Sequence, residues 1–302
     1  MKYWLLFFLL ASPFSYGQSE NSSLTIHIIL SNSNTIFQQA AASIQKELIL
    51  LGDHSEQNIV VVDKIANMSI KPNDLIITVG NEAAEKFNAL GLQNPIIYAF
   101  IEKSLALNLN RSRPAEHQWV ATVTNQPIQR MISISEQLIN NNYKNKIVIV
   151  LSEKNRSTLK EIQSLRPLNK GVLDIIKVPQ DKLAAKIIAD NLFNAAALVA
   201  VHDDDIWSSK SATLLLHQAF NYKVPVVGYS KKFLTAGALI SVSSATEAIA
   251  NETAKLIHHW LTDGAFDETG IVYSDATLNI NKNIARALQL PISRLNSLRI
   301  EE

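Results

Sequence analysis

Residues 224–243 read VPVVGYSKKFLTAGALISVS. Val224 to Gly228 is an apolar run closed by a glycine, the pattern of a strand buried on both faces. A short polar turn follows, and the small pair Ala236-Gly237 opens a second apolar strand that runs to Ser243. Near the C-terminus, residues 278–292 (LNINKNIARALQLPI) echo this with a strand, then a helix that stops at Leu290-Pro291.

The same alternation fills the chain on either side. Strands are expected at 24–30 (LTIHIIL), 59–62, 74–79, 95–100 and 119–124, with helices at 35–51 and 82–90. A polar stretch rich in Asn, Arg and Ser, with Pro114, spans 102–118. A second series then begins: helix 126–141, strand 146–151, helix 155–165, strand 172–178, helix 180–191, strand 197–201 and helix 208–222. The last quarter reads as strand 239–243, helix 246–262, strand 271–274 and helix 281–290. Near-continuous Ile, Val and Leu runs, in place of strict alternation, indicate parallel strands covered by helices on both faces. The fold class is therefore α/β, with two doubly wound parallel-sheet units, one before and one after about Asn125.

The opening residues MKYWLLFFLLASPFSYGQ have the form of a secretory signal peptide. Lys2 is the charged end, Trp4 to Leu10 the apolar centre, and Ser15-Tyr16-Gly17 the small-x-small cleavage site, so residues 1–17 are expected to be removed. The apolar stretch is well short of the roughly 20 residues a spanning helix needs. The chain has no cysteine, which excludes disulfides, thiolate metal sites and a lipidated N-terminal cysteine. The expectation is a soluble periplasmic protein. Lys and Arg total 28 against 27 Asp and Glu. Loss of Lys2 leaves a neutral mature chain with no electrostatic footprint for nucleic acid. Its 302 residues suit two ordinary domains or one large one.

The stretches quoted first carry a family resemblance. Val224-Pro225-Val226-Val227-Gly228-Tyr229-Ser230, Ala236-Gly237-Ala238-Leu239, and Ile280-Asn281 through Ala285, Leu288 and Leu290 resemble a pattern of roughly IPVxGxS, xxAGALxSxx and xxxINxxxAxxLGL. That pattern belongs to substrate-binding proteins of ABC transporters, and more narrowly to the family whose best-known members take up tryptophan and tyrosine. The resemblance implies a type I periplasmic binding fold, two lobes joined by a hinge that the chain crosses three times. The crossings would fall near Thr124-Asn125, Ser243-Ser244 and Ser274-Asp275. The N-lobe would comprise 18–124 plus 244–274, and the C-lobe 125–243 plus 275–302.

In open parallel sheets a ligand sits beyond the carboxyl ends of the strands, where helix N-termini favour an anion. The loop Thr78-Val79-Gly80-Asn81-Glu82-Ala83 matches the family's Thr-x-Gly-Thr/Ser-x-Ala at Thr78, Gly80 and Ala83. Either the Gly80 and Asn81 amides grip an anionic group, or Asn81 simply caps the helix. Glu82 works against an anion there. Ser152-Glu153-Lys154-Asn155 resembles part of the family's NPSEPNS, without its leading Asn-Pro. Ser152 and Asn155 either bind ligand or cap a helix. His202-Asp203-Asp204-Asp205-Ile206-Trp207 is the most conspicuous polar cluster. Asp203 or Asp204 could take a ligand ammonium and Trp207 could stack on a flat group, while Asp205 could serve only as a cap. Tyr229 and Ser230, Phe100 after the fourth strand, Asn125 at the first crossing, and Ser31 and Asn32 in the first turn complete the candidates.

The triple aspartate lacks the spaced ligands and central glycine of a calcium loop, and His217 is too remote to complete a zinc site, so no metal is expected. No Gly-x-Ser-x-Gly elbow, P-loop or GxGxxG is present. His258-His259 has no HExxH frame. No enzyme activity and no cofactor follow. The expected function is a monomeric periplasmic binder of an amino-acid-like small molecule that delivers it to an ABC permease. The alternative is a sensory or interaction partner of a membrane sensor protein on the same fold.

Overall fold

The computed structural model describes residues 24–300 apart from 53–57, 66–67, 112, 115–116, 140–143, 166, 168–170, 181–182 and 268. The expected signal peptide, residues 1–17, lies outside the described residues. The chain opens with β1 (Thr25–Leu30), α1 (Thr35–Leu51), β2 (Asn58–Val62), β3 (Leu75–Val79), α2 (Asn81–Ala89), β4 (Ile96–Ile101), α3 (Lys103–Asn110) and β5 (Trp119–Val123). It continues through α4 (Ile128–Leu138), β6 (Lys146–Ser152), α5 (Arg156–Gln163), β7 (Val172–Val178), α6 (Ala184–Asn191), β8 (Ala195–Val199), α7 (Asp204–Trp207), α8 (Ser209–Asn221), β9 (Val226–Gly228), α9 (Lys231–Ala236) and β10 (Ile240–Ser243). It ends with α10 (Thr246–Asp263), β11 (Gly270–Tyr273), β12 (Thr277–Ile280), α11 (Lys282–Ala287) and α12 (Ile292–Asn296).

Two six-stranded sheets result, ordered β11-β5-β4-β3-β1-β2 and β12-β10-β9-β8-β6-β7. Every pairing in the first is parallel. In the second only β12, antiparallel to β10, departs from this. The chain leaves the first sheet after β5, returns to it after β10, and crosses once more between β11 and β12, giving the two α/β lobes their three-crossing hinge.

The central strands are buried along their length and mostly apolar because helices cover both faces. In β1, Ile26, Ile28 and Leu30 turn to the core under α1 and α10, and Ile29 turns to the other face with Phe87 and Tyr98, as the two-residue strand period requires. Ala40 and Ala41 of α1 share that first core with Ala250 and Ala254 of α10, small residues that let the helix backbones approach closely. The second lobe repeats the plan, with Ile147 and Ile149 on one face of β6 and Val148 and Val150 on the other.

Three local expectations need correcting. The polar turn after Gly228 is a helix, α9, ended by Gly237 in a left-handed conformation (φ 115°). Only Phe233 of α9 is buried, so the stretch carries no helical apolar stripe. The polar stretch at 102–118 contains α3, whose inward face is just Ala106 and Leu109. The final helix is shorter than expected, Lys282–Ala287, and is followed by α12.

Candidate functional site

The carboxyl ends of the strands from both sheets border one cleft with two chambers. The larger is about 810 Å³ and the smaller about 560 Å³. His202, Asp204 and Tyr229 line both, so the chambers are two ends of one space.

The first lobe contributes Phe100 to the larger chamber. Its backbone lies at φ 56°, a region costly for a bulky L-residue. The strain coincides with a register shift between Ala99 and Ile101 against β5. Such a bulge re-aims a side chain that regular pleating would have sent elsewhere. The second lobe contributes a run of rings. His202 and Tyr229 have centroids 5.1 Å apart, Tyr229 and Phe233 4.8 Å, and Phe233 and Trp207 5.7 Å. These separations suit tilted and edge-on aromatic packing.

The acidic loop divides its labour. Asp203 is buried, and its Oδ2 accepts the Ser152 backbone N–H at 2.8 Å and an Asn155 Nδ2–H at 3.1 Å. Asn155 also donates to the His202 carbonyl at 3.1 Å and accepts the Thr158 N–H at 3.2 Å, capping α5. Ser152, Asn155 and Asp203 thus tie two strand-end loops together and form a wall of the smaller chamber. Asp204 is exposed to both chambers. Asp205 sits 3.9 Å from Lys154. The Tyr229 hydroxyl is pushed up to about 12 by burial and by the negative charge of Asp204, Glu102 and Asp203. A cation entering this end of the cleft meets carboxylates and ring faces together.

Two polar side-chain contacts cross from lobe to lobe, one of them an ion pair. Lys103 Nζ lies 2.7 Å from Glu161 Oε2 and 5.5 Å from the Tyr273 ring centroid. Burial alone would lower the Lys103 pKa, but its bonds to Glu161 and Tyr273 outweigh this and raise it. His202 Nε2 lies 3.6 Å from Glu102 Oε1. Asn125 lines the smaller chamber and its Oδ1 accepts the Lys103 N–H at 2.8 Å, capping α3 from the hinge. Ser230 lines the larger chamber at the start of α9.

The remaining candidates lie outside the walls of both chambers. Ser31 Oγ accepts the Ala83 N–H at 3.0 Å, so one N–H of the first turn of α2 is satisfied from the turn after β1. Asn32 Oδ1 accepts the Asn34 N–H at 3.0 Å, and Asn81 Oδ1 accepts the Glu102 N–H at 3.2 Å. Thr78 is fully buried. Gly80, at φ 93°, is packed so closely that a Cβ would stand 2.5 Å from Phe37 and 2.6 Å from Ser31 Oγ. Among the described residues no cluster of three or more His, Asp or Glu side chains is arranged to hold a metal ion, and no helix is long and apolar enough to cross a membrane.

Residues 37–296 match the sequence profile of the ABC transporter substrate binding protein family. The chain belongs to this family. A comparison with curated protein sequences finds no match. Solved structures share the fold of this binding protein. One is a substrate-binding protein with adhesive properties from Clostridium difficile, in a ligand-free, open form (14% identity, 89% of this chain and 95% of that one, TM-score 0.65). A second is an ABC domain from Streptococcus pneumonia in complex with L-Trp (18% identity, 90% and 98%, TM-score 0.56). A third is a conserved domain protein from Vibrio cholerae (14% identity, 91% and 98%, TM-score 0.54).

Sequence reasoning missed a polar knot in the hinge of this binding protein. Gln126 Nε2 donates to Ser244 Oγ and, at 3.3 Å, to the Ser274 carbonyl. Ser274 Oγ donates to Ser244 Oγ at 2.8 Å, and Arg130 Nη1 reaches Gln126 Oε1 at 2.6 Å and the Ser274 carbonyl at 3.1 Å. Each crossing supplies one member. Glu102, Lys103 and His202 were also missed as cleft residues. The unexpected helix α3 hid the first two, and His202 was read only as part of the acidic run.

Proposed function

We propose that this chain is an exported periplasmic solute-binding protein that closes two lobes, 18–124 plus 244–274 and 125–243 plus 275–302, over an amino-acid-like molecule with a flat or apolar body. The observation that carries this reading is the convergence of strained Phe100 from one lobe with Tyr229, Phe233 and Asp204 from the other in a single cleft. The apolar body packs among the rings and Asp204 takes the ammonium, with Glu102 beside it. A ligand that touches both lobes binds the closed arrangement better than the open one, and that difference shifts the population toward closure. The closed protein, a monomer freed of residues 1–17, presents its cargo to an ABC permease in the inner membrane. Binding and release suffice for this role, and no catalysis is assigned.

A thermal-shift panel of amino acids, amines, short peptides, purines and sugars tests the reading. A binder should raise the melting temperature of the native chain, since ligands that bind only the folded state stabilise it. Tyr229→Ala should weaken that binder by about 30-fold, the ~2 kcal/mol expected of a buried aromatic anchor, and Asp204→Asn should weaken amines most. A panel without any shift, or binding indifferent to both variants, removes the proposal's support. Recovery of the chain with a membrane sensor in place of a permease would move its role to signalling.

A further inference from the structure

We propose that His202 and Glu102 form a pH-sensitive latch across the cleft, in which protonation of the imidazole draws the two lobes together before any ligand binds. This rests on the cleft being a closing clamp, as read above, and it adds a control that the ligand does not supply.

The two side chains come from different sheets. Glu102 lies between β4 and α3, and His202 lies between β8 and α7. One asparagine from the same lobe fixes each backbone. Asn81 Oδ1 accepts the Glu102 N–H at 3.2 Å, and Asn155 Nδ2 donates to the His202 carbonyl at 3.1 Å. The His202 ring packs against Tyr229, with centroids 5.1 Å apart. Its Nε2 then stands 3.6 Å from Glu102 Oε1. That is too far for a hydrogen bond, yet close enough for a charged imidazole to be drawn onto the carboxylate. The side chains are 31% and 36% exposed, so solvent protons reach the imidazole.

Imidazole is the side chain whose charge ordinarily changes between about pH 5 and 8. The other charged groups around the shared space set what that charge meets. Asp203, Asp204 and Asp205 continue its own loop, and Lys103, Lys154 and Glu161 line the smaller chamber with it. Lys231, Lys232 and Glu247 line the larger one. The Tyr229 hydroxyl, pushed up to about 12 by burial and then by carboxylates, stays neutral over this range. Lys103, for which burial is outweighed by bonds to Glu161 and Tyr273, stays charged. The Lys103–Glu161 pair at 2.7 Å therefore joins the lobes without an imidazole, and the neighbouring His202–Glu102 contact is the one that a proton switches. Closure brings the Glu102 carboxylate to the imidazole and tightens its hold on a proton. By linkage the proton favours closure in return, an effect present at low pH and lost as the imidazole deprotonates.

The test is energy transfer between dyes placed on the two lobes of the ligand-free protein. The chain has no cysteine of its own, so Glu85→Cys on α2 and Lys186→Cys on α6, both exposed positions, take the dyes. From about pH 8 to about pH 5.5 the closed-to-open ratio should rise about threefold, the effect expected of a partly exposed charge pair. Glu102→Gln and His202→Gln should each abolish that rise. Lys103→Met should lower closure at both pH values and leave the rise in place. A ratio independent of pH, or a rise that survives Glu102→Gln, overturns the latch. The same dyes read the panel of amino acids, amines, short peptides, purines and sugars. If a panel molecule brings the dyes together and pH does not, only the latch has failed. If neither does, the closure reading has failed with it.

Discussion

The two lobes share one plan yet treat their strand-end loops in contrary ways. In the first, Ser31, Asn32 and Asn81 spend their side-chain oxygens on the backbone N–H groups of Ala83, Asn34 and Glu102, and Gly80 is packed against Phe37. What that lobe presents to the cleft is Phe100, from a strained bulge, the start of α3 and the first turn of α10. In the second, one internal lock through Asp203 frees Asp204 and a run of four rings to face the cleft. Equivalent positions in a doubled fold therefore do not carry equivalent roles. The first loop set holds a lobe together, and the second displays chemistry.

The sharpest break of that contrast is Gly80→Ala. A Cβ at Gly80 meets Phe37 and Ser31 Oγ within 2.6 Å on a backbone at φ 93°, so crowding and conformational strain add. The expected loss is about 3 kcal/mol of unfolding free energy, read by urea denaturation. An alanine tolerated within ~0.5 kcal/mol would show that this loop is open and can take a ligand after all.

The sheets were legible because strands covered on both faces carry near-continuous apolar runs, and β1, β3, β6 and β8 show them with few polar interruptions. α3 and α9 were not, since each buries only one or two side chains and leaves no stripe to read. The hinge knot joins residues 118 and 148 positions apart, a proximity that no local pattern encodes. The strand-end rule pointed to loops in both lobes; those after β6, β8 and β9 line the chambers and those after β1 and β3 do not. It could not say that Asp203 turns into the protein and its neighbour Asp204 into the cleft, because that choice is made by the Ser152 N–H and Asn155 on a different strand-end loop.

The Lys103–Glu161 pair is where the two contrasting walls meet. At 27% and 25% exposure it is partly screened, and about 1 kcal/mol is a fair expectation for it. Lys103→Met and Glu161→Gln, combined in a double-mutant cycle, should recover that coupling in the closure equilibrium followed by small-angle scattering or a cross-lobe distance probe. Coupling indistinguishable from zero would reduce the pair to an incidental contact and leave the hinge knot to set the angle between lobes.

The smallest effect is electrostatic and belongs to the second wall alone. Tyr229 titrates at about 12, through burial first and then Asp204, Glu102 and Asp203, against about 10 in an unfolded chain. The folded state therefore holds the phenolic proton more tightly than the unfolded state does. Between pH 10 and about 12 the folded chain binds more protons at this group, and its contribution to stability falls as pH rises, having been intact below pH 10. Ultraviolet titration of the phenolate, with Tyr229→Phe to identify its signal, should show that group ionising later than the exposed Tyr222. Asp204→Asn should bring its midpoint back toward 10 without abolishing the shift, because burial remains. A midpoint unmoved by Asp204→Asn would mean that the carboxylate is not felt at the ring, and Asp204 would lose its claim to the ligand's ammonium.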